Sequence, residues 1–358
     1  MISSKERPTL QFGTVVSDYV IIRCIGQGGF GDIYLVCSKK SCEAFAMKVE
    51  SSYIKKTSIL HEINIVRSLQ GSLHVPRIIS IGEDFSKRYF VQELLGPSLS
   101  CLRRTFYNGR FTFPTVLSVS KQMLIVIQDI HKKGIIHNDI KPSNFLIRPN
   151  SMNFLCLIDY GLSFQYIDPE SGEHIKSHNF SGFKGTLKYA SPNAHLGFDL
   201  TRRDDMYSWF YSMLELFLGN LPWANEKNKI QVMKMKKNIK NGIGFQALPP
   251  QIQALYDLID GIKIFDAPDY QRFIDSIDET AKGLGVVLGK DHDWEDLEPN
   301  IVNDISALPF KLVPGKYVIE PYIDGLYRTP DGNIKYCEHD INDNQIVFHP
   351  ISKTCSIL

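Results

Sequence analysis

Residues 19–36 read YVIIRCIGQGGFGDIYLV, two runs of β-branched and aromatic residues around a cluster of glycines. In a dinucleotide fold the spacing Gly26-x-Gly28-x-x-Gly31 would follow a strand and open a helix. Here DIYLV follows it, a strand composition, so the pattern predicts a β-hairpin with the glycines at its connection. Glycines without side chains let backbone N–H groups close over phosphates, with Phe30 as a cap at the tip. An ordinary glycine hairpin is an equal competitor for this motif alone. Further out, AFAMKVE (44–50) reads as a third strand and RYFVQELLG (88–96) as a buried one. Between them, KTSILHEINIVRSLQG (56–71) places Ile59, Ile63 and Val66 at helical spacing and stops at Gly71. The first ninety or so residues are sheet-rich with one helix.

Beyond Gly96 the pattern turns helical. FPTVLSVSKQMLIVIQDIHKKG (113–134) carries Val116, Val119, Met123, Val126 and Ile127 on helical spacings and ends at Gly134. RRDDMYSWFYSMLELFLGNLPW (202–223) is apolar on nearly every face from Met206 to Leu218, as befits a helix inside a domain. The loop-rich stretch 135–200 holds the densest polar signatures. From about residue 286 the pattern weakens: DHDWEDLEP (291–299) is acidic and turn-prone, and GKYVIEPY and GLYRTPDGNIKYCEH suggest short strands with Asp331-Gly332 as a hairpin turn.

Composition narrows the function classes. The 358 residues are 43% hydrophobic and 22% charged, near the globular average. Forty Lys and Arg against 39 Asp and Glu leave +1, no basis for bulk attraction to nucleic acid or to an anionic membrane. Seven scattered cysteines form no C-x-x-C pair, so a zinc or redox motif has no support. MISSKERPTLQFG lacks an apolar h-region, and no apolar run is long enough for a bilayer. The expectation is a cytoplasmic, monomeric protein with reduced thiols, a nuclear pool being compatible, and no nucleic-acid partner.

Three further signals change the odds on the glycine hairpin. Lys48 sits in an apolar strand 17 residues after Gly31 and needs an anionic partner; Glu62 on the following helix and nucleotide phosphates are the candidates. IIHNDIKPSNFLI (135–147) contains His137-x-Asp139-x-Lys141-x-x-Asn144. This is the pattern of phosphoryl transfer: Asp139 orients the acceptor hydroxyl and takes its proton, Lys141 neutralises the moving group, and Asn144 offers a neutral oxygen to magnesium. LCLIDYG (155–161) then delivers Asp159 at the end of an apolar strand, placed for the main metal ion. Four motifs in this order and spacing leave chance a minor competitor.

The set resembles the eukaryotic protein kinase signature. ELLGPSL (93–99), KGTLKYASPNAHLG (184–197) and RRDDMYSWFYSML…GNLPW (202–223) are similar to the casein kinase 1 superfamily, and SWFYSMLELFLGNLPW with KPSNF leans toward its tau-tubulin kinase branch. The resemblance implies an α+β bilobal protein kinase-like fold with ATP and Mg²⁺ in the cleft. It divides the chain into an N-terminal extension (1–18), a kinase domain (19–285; small β-rich lobe about 19–93, larger helical lobe about 94–285) and a tail (286–358) whose structure the pattern leaves open. By resemblance, Ile25, Gly26, Gly28, Gly31, Ile33, Ala46, Lys48, Glu62, Glu93 and Leu95 bind ATP, with hinge backbone at Glu93 and Leu95 reading the adenine. Gln92 guards the back of the pocket, Asp139 and Lys141 are catalytic, Asn144 and Asp159 hold metal, and Asp205 braces the catalytic loop. Lysine two positions after Asp139 is the serine/threonine pattern, so protein substrates bearing those hydroxyls are the implied partners. A pseudokinase scaffold and a small-molecule kinase stay as alternatives.

Some departures carry information. Most kinases have arginine where this chain has Asn138, so the expectation is activity without phosphorylation of residues 160–190, although Ser163, Ser177, Ser181 and Thr186 are available. Tyr160 replaces a phenylalanine whose ring it can mimic. Lys188 and Lys234 match two anion-binding positions of casein kinase 1 enzymes, implying acidic or pre-phosphorylated substrates, with a solvated lysine face as the equal alternative. Cys355-Ser356-Ile357-Leu358 reads as a candidate geranylgeranylation box, giving at most weak membrane association because no polybasic run precedes it.

Overall fold

The computed structural model describes residues 9–29, 31–41, 43–50, 58–84, 87–148, 155–175, 182–289 and 292–295, together with the backbone of five strands between 310 and 350. After a two-residue strand β1 (Val15–Val16), the glycine cluster joins two antiparallel strands, β2 (Tyr19–Gln27) and β3 (Gly31–Ser38), with Gln27 opposite Asp32. Strand β4 (Ala44–Glu50) pairs with β3, placing Lys48 opposite Ile33. Helix α1 (Ser58–Ser68) crosses to β5 (Ile78–Asp84) and β6 (Lys87–Glu93), which completes a six-stranded sheet of order β1-β2-β3-β4-β6-β5. The strand β5 has no clean alternation in the sequence and was not anticipated. Ile59 and Ile63 of α1 pack on Phe90 of β6, which seats the helix against the sheet.

The second lobe is helical. A short α2 (Leu99–Arg103) leads to α3 (Phe113–Lys132), which starts with a proline in its first turn and is released by Gly134 at φ 79°. Four short strands follow, β7 (Ile135–Ile136), β8 (Phe145–Ile147), β9 (Leu155–Leu157) and β10 (Phe164–Gln165), pairing β7 with β10 and β8 with β9. The β7–β8 and β9–β10 connections carry the polar signatures read from the sequence.

After α4 (Pro192–Leu196) comes α5 (Arg202–Leu218), opened by a capping box between Thr201 and Asp204. It ends at Gly219, φ 83°, so GNLPW lies outside the helix. Trp209, Phe210, Tyr211 and Leu216 of α5 are fully enclosed, and the Trp209 indole donates to the Ser120 carbonyl of α3 at 3.0 Å. Four further helices, α6 (Lys229–Lys237), α7 (Ile243–Gln246), α8 (Pro250–Gly261) and α9 (Tyr270–Gly283), surround this core. Among the described residues no helix is long and apolar enough to cross a membrane.

The acidic segment after α9 docks on the second lobe. Trp294 is buried against Phe111, and the Asp293 carboxylate accepts from the Thr112 backbone N–H at 2.6 Å and the Thr115 hydroxyl at 2.9 Å. A negative charge is thereby placed at the N-terminus of α3, where the helix dipole favours it. In the tail, β11 (Phe310–Val313) pairs with β12 (Lys316–Ile319), and β13 (Leu326–Arg328), β14 (Ile334–His339) and β15 (Ile346–Pro350) form an antiparallel sheet. Asp331-Gly332 and the C-terminal CSIL box lie outside the described residues, as does Phe30.

Candidate active site

A cleft of about 620 Å³ opens between the lobes. Ile25, Ile33 and Ala46 line it from the sheet, Leu146 and Ile158 from the second lobe, and Gln92 to Gly96 form its back. This is the shape of a site for a flat apolar ring with a polar end. Gly31 is required by the fold, because a Cβ there would stand 2.5 Å from the Val49 carbonyl oxygen. Gly26 and Gly28 are under no such demand: a Cβ on either meets its nearest neighbour at 3.6 Å. Their missing side chains leave open space over the cleft, as close approach of backbone to a phosphate needs.

Lys48 dominates the polar end. Its Nζ donates to both Glu62 carboxylate oxygens, at 2.8 and 2.7 Å, and to Asp159 Oδ1 at 2.9 Å. Burial works against the ammonium, but the two carboxylates outweigh it and its pKa is pushed up to about 12. Burial also pushes the Glu62 carboxyl up, opposed by Lys48 at 2.7 Å. Lys48 stays protonated throughout the range in which a carboxylate titrates, so its positive charge faces both carboxylates across that range. Asp159, despite its own burial, is held below the ordinary carboxylate range by the Lys48 ammonium.

The second cluster lies on the β7–β8 loop. Asp139 Oδ2 accepts from Lys141 Nζ at 2.6 Å and Oδ1 from the Thr186 hydroxyl at 2.7 Å, while Lys141 also reaches Thr186 Oγ1 at 3.1 Å. Asn144 donates its amide to the Asp139 carbonyl at 2.9 Å, which leaves its Oδ1 as the atom for a cation. One amide oxygen and one carboxylate are hard donors, fitting a magnesium ion that shares its remaining positions with phosphates.

Asp205 holds the loop from beneath. It accepts from the backbone N–H of His137 at 2.8 Å and of Asn138 at 2.9 Å, and pairs with His131 Nε2 at 2.9 Å. Burial lowers the His137 pKa. Its neutral ring accepts from the Asp139 N–H at Nδ1, which assigns the proton to Nε2, facing the Ile158 carbonyl at 3.1 Å. Asn138 and Asp159 both adopt left-handed backbone, at φ 66° and 67°. Such strain in non-glycine residues gathers where function demands it.

Other expected residues land differently. The Glu93 carboxylate turns to Arg148, 2.6 Å away, and to Arg77 at 3.4 Å, and its N–H donates to the Arg77 carbonyl at 3.0 Å, so neither group of this hinge residue is left for a ligand. Leu95 is buried at the same turn. Lys188 donates to Glu215 Oε1 at 2.5 Å, an oxygen shared with Arg103, also at 2.5 Å. Lys234 is exposed on α6, and no contact joins it to Lys188 among the described residues. Ser163 is buried and donates to the His137 carbonyl, and Thr186 is spent on Asp139, so neither is a free hydroxyl. Ser177 and Ser181 lie outside the described residues. The Tyr160 ring packs edge-on to His137, but its hydroxyl is buried without a partner.

Three contributors escaped the sequence reading. Leu146 and Ile158, which line the cleft, were visible only as parts of apolar runs. Thr186 stood in a loop with no periodicity to set it apart from other hydroxyls.

A family model for the protein kinase domain matches residues 19–277. A probable serine/threonine-protein kinase of Dictyostelium discoideum is 36% identical over 279 residues, covering 77% of this chain and 56% of that protein. The matched region is thus little more than half the length of that curated relative.

The ion cluster yields a signed test. Lys48→Met removes the cation and leaves burial of Glu62 unopposed, so the folded variant holds a proton that the unfolded chain releases. Its stability is expected to fall as pH rises from about 5 toward 8, with a slope of about 1.4 kcal/mol per pH unit for one proton. In wild type Lys48 opposes the burial of Glu62, so a smaller slope is expected from this group. Denaturant midpoints across that range measure it, and parallel profiles for the two proteins would contradict the assignment.

Proposed function

This chain belongs to the protein kinase family, and from that premise we propose that it is a serine/threonine protein kinase of the casein kinase 1 type. Its α+β two-lobed fold is the family's, and ATP with magnesium is the family's phosphoryl donor. The observation that carries the proposal is the triangle of Asp139, Lys141 and Thr186 beside Lys48 and Asp159 in one cleft. When bound, the metal–nucleotide supplies the transferable group and its charge neutralisation. Gly26 and Gly28 leave room over its phosphates, Lys48 would hold them, and Asn144 and Asp159 would hold the cation. Asp139 orients the acceptor hydroxyl and takes its proton, with Lys141 and Thr186 fixing the carboxylate. The name of the Dictyostelium relative supports serine or threonine as acceptor. A nucleotide-gated scaffold without turnover fits less well, because every polar group needed for transfer is present and bonded.

The same reading extends to regulation. Asn138 Nδ2 donates to the Leu162 carbonyl at 2.8 Å, and His61 of α1 bonds the Ser163 carbonyl at 2.6 Å. Both contacts tie down the start of the activation segment without a phosphate, which supports activity that needs no phosphorylation there. Substrate choice is the least constrained part. Arg103 and Lys188 share one carboxylate, leaving a positive charge in excess, and Lys234 and Lys237 are exposed on α6. This supports a preference for acidic or pre-phosphorylated peptides.

Three outcomes are expected. Asp139→Asn should lower turnover by about 10²–10⁴-fold while leaving nucleotide affinity intact, and undiminished turnover would exclude its role as base. Phosphatase-treated enzyme, its dephosphorylation verified by mass spectrometry, should keep its activity; loss that returns on phosphorylation of residues 160–190 would refute the regulatory reading. Lys234→Glu should reduce the advantage of a phosphoserine-primed peptide over its unprimed form by about tenfold, the scale of one charge-assisted contact. An unchanged ratio would remove the anion site.

A further inference from the structure

Directly after Thr186 the chain runs through Leu187–Ala190 without regular structure, yet each of its four carbonyls accepts from a side chain. The Leu187 carbonyl accepts from Lys236 Nζ at 2.9 Å, the Lys188 carbonyl from Trp223 Nε1 at 2.8 Å, the Tyr189 carbonyl from Ser208 Oγ at 2.9 Å, and the Ala190 carbonyl from Lys236 again at 2.7 Å. The segment closes on itself through the Tyr189 and Ala190 N–H groups, which donate to the Thr186 carbonyl at 2.9 and 3.0 Å. A continuous path of bonds therefore runs from Lys236 through Ala190 and Thr186 to Asp139.

Lys236 is unusual for a lysine. It is 1% exposed, and its amine lies over the rings of Tyr211, at 4.8 Å, and Trp223, at 5.5 Å. Its bonding partners are two carbonyls and His195 Nε2 at 3.3 Å, with no carboxylate. Burial draws its pKa down to about 6, and burial with nearby lysines draws His195 down to about 4. A neutral amine has two N–H bonds, one for each carbonyl, and a lone pair that can accept from His195. A methionine would fill this volume without the desolvation cost, so packing alone gives no reason for an amine here.

We infer that Lys236 is a positioning residue for the transfer reaction: its amine sets the register of Leu187–Ala190, so that Thr186 is held against Asp139 and the segment stands ready to receive polypeptide beside the acceptor hydroxyl. The inference rests on the kinase reading for its chemistry, but its structural half can be measured without activity. The variant is Lys236→Met in the full chain. By hydrogen exchange without nucleotide, the amides of Tyr189 and Ala190 are expected to exchange at least about tenfold faster, with α1 and β4 unchanged. With a serine peptide on which wild type is active, kcat/KM for peptide is expected to fall at least about tenfold while KM for ATP stays within about twofold. Unchanged exchange at these two amides overturns the inference, and so does a parallel loss in peptide and ATP parameters, which a general loss of fold would give. Lys236→Gln retains an NH₂ donor and is expected to fall between the two proteins in both measurements; it replaces the methionine variant if that fails to fold, and full loss in it would also count against the assignment. An inactive wild type would count against the kinase reading, and the exchange result would still decide this one.

Discussion

One ammonium group between two carboxylates organises this molecule. Lys48 comes from the central strand β4, Glu62 from α1, 14 residues away, and Asp159 from the second lobe, 111 residues away. Bringing them together orients α1 against the sheet and joins the two lobes across the cleft. The cluster carries a formal charge of −1, so it is not neutral until a cation enters. A site built this way favours a divalent ion with its phosphates over a bare anion. Because the group is enclosed, the attraction is screened far less than a surface pair would be, and removing Lys48 leaves two carboxylates uncompensated, whereas removing either carboxylate leaves a neutral pair.

The second lobe meets the complementary problem of holding a strained loop still. Asn138 and Asp159 sit in left-handed backbone that their side chains disfavour. Asp205 answers by accepting two consecutive N–H groups, and His131 and Tyr270 behind it fix the carboxylate in turn. The neutral His137 ring then bridges the two strained positions, bonded to the Asp139 N–H on one side and to the Ile158 carbonyl on the other. Each left-handed residue is therefore flanked by backbone groups bonded to Asp205 or His137.

How much of this was legible in the sequence follows from the range of the interactions. The glycine hairpin, the strand bearing Lys48, and helices α3 and α5 are written in local periodicity and in glycine stops, and they formed close to where read, although α5 ends at Leu218 and leaves GNLPW outside. Asp139, Asn144, Asp159 and Lys48 stood out because their spacing is local within each motif. The cradle for Asp139 was half hidden: Lys141 is two residues away, but Thr186 is 47 residues away in a loop with no pattern. Lys188 shows a different limit. Its match to an anion-binding position, like the alternative of a solvated lysine, carries no sign of Glu215, which only the fold sets beneath it. Lys236 reads as one more lysine in K-M-K-K, while its helix turns that one position inward.

Charge and neutral hydrogen bonding are divided between two jobs. Formal charges are concentrated where a phosphoryl group would move, at Lys48, Asp139, Lys141 and Asp159. Next to them the activation segment is held largely by neutral donors, the Asn138 amide, the Thr186 and Ser208 hydroxyls and the Trp223 indole, together with Lys236, whose pKa burial draws down to about 6. Neutral contacts are insensitive to ionic strength and need no modification to form. They can hold a backbone in register without altering the field felt by a dianionic substrate a few ångströms away. A phosphate and its arginine partner in the same place would add a strong field and a dependence on another enzyme. The replacement of a cation by Asn138 and the enclosure of Lys236 are, on this view, two expressions of the same constraint.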